Sequence, residues 1–424
     1  MQIENLLYDL SKAKNPTHIL VSWSRMGTKV STAKAIIAID DYEKSFLPSN
    51  IVKTLYSDNN DFVPYFQSSK LYFIDNEILN NMLSSQNNVE IPIDYSIMFD
   101  TNYASYIHQF VNNPSSNLNN EVFTSIALLL RENYQYDFNF YLIENSKSMD
   151  LNSIYDFSDF IQNHNEIYQN IISLELFKSI DNTLFKNTGK LNYTITKSEA
   201  TQKATDLITT LFCTKQGIEY LQNFTFMQKQ MTLFLIGMLN IQFSSNKSPQ
   251  KKIYDLFDFM NEKVGVYFER ESIVAHRYFK EKGKLRIFRK IQKNGDTTKI
   301  LETINNIAWD FVTPRVMEFF MRFGGEGKFF LPFILSHDAG LKEILQLFNV
   351  KACLIDEHLG FIPVPSINTQ DYYESENCTI DFESYFSKEN KSKRATTLNK
   401  NREVIDQLIN EECNKLIETI SKPK

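Results

Sequence analysis

The chain has 424 residues, of which 42% are hydrophobic and 13% aromatic, and a net charge of −6. That length and apolar content predict a globular protein of two to four domains with ample core, and the acidic balance excludes nucleic-acid binding through overall charge, leaving it to local patches. No run reaches the ~18 apolar residues of a membrane span, and MQIENLLYDL carries acids where a secretory leader would be basic, so a cytoplasmic protein without membrane contact is expected.

Twelve glycines predict a fold rich in helices and poor in tight turns. Cys213, Cys353, Cys378 and Cys413 stand far apart without a CxxC pair, against both a zinc knuckle and a disulfide framework. Residues 1–90 are expected to form a small α/β unit. There THILVSWS and KAIIAID read as strands, and LYFIDNEILNNMLSS as a strand running into a helix. From 91 to 150, YSIMFD reads as a strand ending in Asp100, YASYIHQFV and EVFTSIALLLREN as helices, and DFNFYLIEN as a strand ending in Glu144. Helical periodicity dominates 151–295. Helix, strand and helix return over 297–349, and VKACLI at 350–355 reads as a last strand. Residues 366–396 look polar and irregular, before NKNREVIDQLINEECNKLIETI closes the chain as an amphipathic helix. RFGGEGKFF has glycines and a lysine, but not at phosphate-loop spacing.

Three acids share one context. Asp100 follows YSIMF, Glu144 follows FNFYLI, and Asp338 stands three residues after FIL. Helix capping accounts for each separately. Loops at the carboxyl ends of strands are also where α/β sheets gather distant residues into a site. A fourth acid, Asp310, continues a stripe with Glu302 and Asn306 at i, i+4 and i+8 if 299–311 is helical. Ile300, Ile304, Ile307 and Phe311 form an apolar stripe beside it, and Trp309 and Phe311 flank Asp310. A polar stripe is most often a solvent face. Pro314 is expected to kink this helix or start a new turn, with Thr313 as its cap.

YSIMFDTNYASYI resembles the opening of PIN-like nuclease domains, an apolar strand ending in Asp-Thr/Ser-Asn before a helix. AWDFVTPRVMEFF followed by FILSHDAGLKEILQLFNVKACLI resembles their closing half: an acid on a helix, a strand, Thr/Ser-x-Asp, a short helix and a final strand. The likeness covers 91–150 and 296–356, about a quarter of the chain. It implies an α/β, three-layer PIN-like core with a central parallel sheet. That core would be made of 91–150 and 296–365, interrupted by a helical insertion at 151–295 and followed by a tail and helix at 366–424. By position it implies Asp100, Glu144, Asp310 and Asp338 as catalytic and metal-holding acids, with Asn102, Ser336 and Glu302 in support. Glu121 and Glu132 compete with Glu144 for the second place.

Carboxylates suit the chemistry this implies. Mg²⁺ and Mn²⁺ prefer oxygen ligands, and one or two such ions can neutralise a scissile phosphate and activate water. Four close carboxylates left without a cation would repel one another. His337 reads first as a turn residue with a structural hydrogen bond and second as a substrate contact, and His108 as a helix-surface or packing residue; neither enters a Ser-His-Asp pattern.

RYFKEKGKLRIFRKIQK, residues 277–293, has eight basic residues against one acid. Tyr278, Phe279 and Phe288 interleave with the charges, which suits a surface that tracks a backbone and stacks bases. Lys284, Arg286, Arg289 and Lys290 are the candidate phosphate contacts, with Arg25, Lys29 and Lys34 as the alternative set. The basic run at 388–402 reads as a flexible tail.

The expected function is metal-dependent hydrolysis of phosphodiester bonds, with RNA ahead of DNA as substrate. The large insertion and added terminal segments suit a stress-response or defence effector, with a protein partner or second copy bound through the insertion. A PIN-like scaffold that binds nucleic acid or protein without catalysis is the alternative. A haloacid-dehalogenase-type phosphatase fits less well, because Asn102 stands where its second acid belongs.

Overall fold

The computed structural model describes residues 2–26, 32–56, 61–84, 89–113, 120–293 and 295–421. Lys29 lies outside the described residues. Helices α1 (Gln2–Lys12) and α2 (Pro16–Met26) precede strand β1 (Lys34–Ala38). Next come α3 (Ser49–Leu55), β2 (Phe62–Pro64), β3 (Leu71–Asp75), α4 (Asn76–Leu83), β4 (Ile93–Phe99) and α5 (Thr101–Asn112). They lead to α6 (Asn120–Leu130), β5 (Tyr136–Asp137) and α7 (Asn139–Ser146). The helical run contains α8 (Phe157–Lys178), α9 (Asn182–Thr188), α10 (Lys197–Phe212), α11 (Lys215–Ser244), α12 (Pro249–Phe259) and α13 (Glu269–Lys280). The rest holds α14 (Ile300–Phe323), β6 (Phe329–Leu335), α15 (Ala339–Leu347), β7 (Val350–Asp356) and β8 (Gly360–Pro365). Helices α16 (Thr369–Ser375), α17 (Phe382–Tyr385) and α18 (Lys388–Ser421) end it.

The α/β class is as expected, but the strands divide between two small sheets that are mostly antiparallel. One has the order β3-β1-β7-β8, with β1 antiparallel to β3 and to β7. The other has the order β2-β6-β4-β5. Here β4 runs parallel to β5 and β6, and β2 runs antiparallel to β6. Parallel pairing is thus confined to β5, β4 and β6. All seven residues of β6 are buried, the pattern of a strand covered on both faces of its sheet. Its Pro332 has no N–H for a ladder; β2 ends at Pro64 opposite Phe333, one residue short of it.

Four expectations change. THILVSWS is helical, because its buried residues Ile19 and Trp23 stand four apart on one face of α2. DFNFYLIEN starts on Asp137, the last residue of the two-residue β5, and runs into α7, where Phe140, Tyr141, Leu142 and Ile143 are all buried. A run buried on all sides carries no period, so it does not separate helix from strand. VKACLI is not the last strand, since β8 follows it. Residues 366–396 are largely helical rather than irregular, with Tyr372 and Tyr373 of α16 in the core.

The chain forms two compact units. The first comprises Met1–Thr225, Val316–His337 and Lys351–Pro363, and the second Phe226–Arg315, Asp338–Val350 and Val364–Lys424. No helix among the described residues is long and apolar enough to cross a membrane.

Candidate functional site

In the first unit, β4 and β6 end level, with Phe99 opposite Leu335. The Asp100 N–H extends the ladder to the Leu335 carbonyl at 3.3 Å. Antiparallel β2 starts at the same edge, and the Ser336 N–H donates to the Asp61 carbonyl at 2.9 Å. Three chain segments therefore meet here: Asp61 before β2, Asp100-Thr101 after β4, and Ser336-His337 after β6.

Asp100 is 8% exposed and caps α5, accepting from the Tyr103 N–H at 2.7 Å. Glu144 reaches the same helix start from α7. Its Oε2 accepts both the Thr101 N–H and the Thr101 hydroxyl, each at 2.9 Å. Two of the expected acids thus share the N-terminus of α5, where unsatisfied N–H groups favour negative charge. Glu144 does so from within a helix rather than from a strand end. Lys147, 3.5 Å from Glu144 Oε1, lies one turn along α7. Asn102 is exposed on α5, and Ser336 is buried.

Beside this pair lies a network not foreseen in the sequence. The Asp61 carboxylate faces His337 Nδ1 at 2.8 Å and accepts from Ser125 Oγ at 2.6 Å and from the Tyr103 hydroxyl. His337 Nε2 lies 3.2 Å from that same hydroxyl, and the imidazole packs on the Tyr103 ring at 4.9 Å between centroids. Burial, reinforced by the hydrogen bond to Asp61, pushes the Tyr103 phenol well above its ordinary range. Asp61 is one of several polar residues in SDNNDFVP, and β2 is only three residues long, so no period marks it.

The second unit holds the other two acids. Asp338 caps α15, accepting from the Gly340 N–H at 2.6 Å. A Cβ on Gly340 would meet Asp338 Oδ1 at 3.0 Å, Asp310 Oδ2 at 3.6 Å and Ile287 Cγ1 at 3.8 Å. The two carboxylates therefore face one small residue, with the turn around Ile287 close by. Along α14, Ile300, Ile304, Ile307 and Phe311 are buried as expected, Asp310 is half-buried, and Glu302 and Asn306 are exposed. Thr313 caps nothing. It is buried inside a helix that continues through Pro314, and its hydroxyl donates to the Trp309 carbonyl at 3.0 Å.

Lys284, Arg286, Arg289 and Lys290 are all exposed, while Leu285, Ile287, Phe288 and Ile291 between them are buried. Tyr278 and Phe288 are fully buried and Phe279 is 2% exposed. The expected base-stacking role of these aromatics is therefore corrected: they are core, and the stretch offers charge alone.

The donor chemistry of both acid pairs, hard carboxylate oxygen, fits Mg²⁺ or Mn²⁺. Among the described residues, however, no group of three or more His, Cys, Asp or Glu side chains is placed to hold a metal ion. No family model, curated protein or solved structure matches the chain.

Proposed function

We propose that the protein is a metal-dependent nuclease with a PIN-like core, hydrolysing phosphodiester bonds in RNA ahead of DNA. The observation that carries this reading is the parallel register of β4 on β6. Residues from the two sides of the 151–295 interruption share one sheet. The acid that ends β4 and the Ser336-His337 turn that ends β6 leave it at one level.

Asp100 and Glu144 would hold the cation, since Mg²⁺ commonly takes one or two carboxylates and completes its shell with water and substrate phosphate. A bound ion would supply neutralisation of the phosphate and an activated water. Asp310 and Asp338, with Asn102, Ser336 and Glu302 in support, are assigned by the resemblance, as is the preference for RNA. The exposed cations at 284–290 are suited to phosphate contacts.

The alternative is a PIN-like scaffold that binds nucleic acid or a protein partner without catalysis. Incubation of the purified chain with labelled single-stranded RNA, with Mn²⁺ or Mg²⁺ against EDTA, separates the two. Metal-dependent cleavage supports the nuclease. Binding without cleavage under any metal supports the scaffold.

A further inference from the structure

The glycines of RFGGEGKFF do not cradle a phosphate; they wrap a carboxylate of their own chain. Asp94 Oδ2 accepts from the Gly327 N–H at 2.5 Å and the Glu326 N–H at 2.7 Å. Gly325 has φ +76°, and a Cβ there would stand 2.8 Å from the Phe330 ring and 3.0 Å from Asp94 Oδ2. Only glycine fits so close a wrap in that backbone region.

The wrapped loop forms one wall of a cleft of about 860 Å³ in the first unit, which runs along β4 from Asp94 to Met98 and takes in Asp137 of β5. That volume is in the range of small-molecule sites. Its aromatic wall includes Tyr95, Tyr136, Tyr220, Phe319, Phe323 and Phe330. Tyr220 and Phe319 lie 5.5 Å apart and Phe319 and Phe323 4.8 Å apart, and Phe323 is 60% exposed. The charged lining is Asp94, Asp137 and Glu326, with no Lys, Arg or His among the described lining residues.

Ser96 supplies an independent signal. It lines the cleft and is 5% exposed, yet its hydroxyl finds no hydrogen-bond partner among the described residues. A buried hydroxyl left so is destabilising, and a ligand group would relieve it. Asp137 lines the cleft as well, and burial pushes its carboxyl up, against the hydrogen bonds from Asn139 and the charge of Lys178.

We propose that this cleft binds an organic primary amine as its ammonium ion, held against Asp137 and Ser96 with its carbon skeleton on the aromatic wall. Aromatic faces attract cations through the ring quadrupole, and the acidic lining rejects anions. The serine and carboxylate oxygens can accept from the N–H groups of a primary ammonium, which a quaternary ammonium lacks. The site is independent of the proposed nuclease chemistry.

Titration calorimetry on the full chain tests it, with phenethylammonium and spermidine as probes. The alcohol 2-phenylethanol and the quaternary phenyltrimethylammonium serve as controls. At least one amine should bind, and both controls should bind about tenfold more weakly or worse, the scale of one lost charge-assisted contact. Tighter spermidine identifies an aliphatic polyamine as the ligand class, and tighter phenethylammonium an aralkylamine. Ser96→Ala and Asp137→Asn should each weaken binding about tenfold. Phe323→Ala changes an exposed ring, so it tests the aromatic wall even if the buried variants misfold. Equal binding of 2-phenylethanol, no amine binding at millimolar concentration, or binding unchanged in every folded variant would overturn the proposal.

Discussion

Asp61 Oδ1 lies 2.8 Å from His337 Nδ1, and the same carboxylate takes the Ser125 and Tyr103 hydroxyls. One side chain thereby ties the start of β2 to the end of β6 and to helices α5 and α6. Asp61→Ala would leave three donors without their acceptor. The expected loss of stability is about 2–4 kcal/mol, from the cost of stranding part-buried polar groups. Urea unfolding measures it. A loss below about 0.5 kcal/mol, the low end for one hydrogen bond, would mean that water replaces the carboxylate and the network holds nothing.

Asp100 has two roles that one substitution separates. As an N-cap it accepts from the Tyr103 N–H, and Asn caps a helix about as well as Asp. Asp100→Asn should therefore unfold within about 0.5 kcal/mol of the parent, whereas Asp100→Ala should lose about 1 kcal/mol. Thermal unfolding of both variants decides. A large loss in the Asn variant alone would show that the charge itself stabilises the fold.

The capping role was legible in the sequence, and so was most of the local structure around it. The strand β4, the acid that ends it and helix α5 follow from a short apolar run meeting Asp-Thr-Asn. The amphipathic stripe of α14 follows from isoleucines at helical spacing. Glu144 reads as a strand end because the residues before it are buried on all sides, which erases the period that tells helix from strand. Asp61 gave no signal, since its importance comes from pairing with β6, more than 270 residues away. Tyr278, Phe279 and Phe288 misled for the converse reason. Aromatics alternating with lysines and arginines look the same whether their rings face a base or a core.

An ion pair between buried Glu271 and part-buried Arg315 within the second unit sets an acid limit. Arg315 donates to Glu271 through both guanidinium nitrogens, at 2.5 and 2.8 Å. Burial alone would raise the Glu271 carboxyl, but the Arg315 charge and hydrogen bonds outweigh it and hold the group below its ordinary value of 4.5. The stabilisation is therefore present above that ordinary value and is lost as pH falls through the lower folded value. Stability should fall on acidification, and the fall attributable to this pair should vanish in Glu271→Gln. Glu271→Ala, which takes the carboxylate from a part-buried guanidinium that keeps its bond to the Phe311 carbonyl, should cost up to about 3 kcal/mol at neutral pH, short of the full penalty for breaking a buried pair. A pH-independent difference between the parent and Glu271→Gln would contradict this.

The exposed cations at 284–290 should act through charge alone. If they contact single-stranded RNA, the log–log salt slope of binding carries about −0.7 per phosphate neutralised. Arg286→Ala with Arg289→Ala should flatten it by roughly 1.4. Substituting buried Phe288 should lower stability before it touches the slope. An unchanged slope in a folded double variant would leave this turn as a solvated face and move the search to Lys34 and Arg25.

Cleavage of labelled RNA by Asp100→Asn and by Asp338→Asn, each checked for an unaltered melting temperature, tests the nuclease reading most directly. Both substitutions keep a helix cap while removing a carboxylate. The parent should cleave with Mn²⁺ or Mg²⁺ and not with EDTA, and each folded variant should lose at least about a hundredfold, the scale of losing a group that acts in the transition state. Cleavage that survives in both variants, or persists in EDTA, would overturn the nuclease reading.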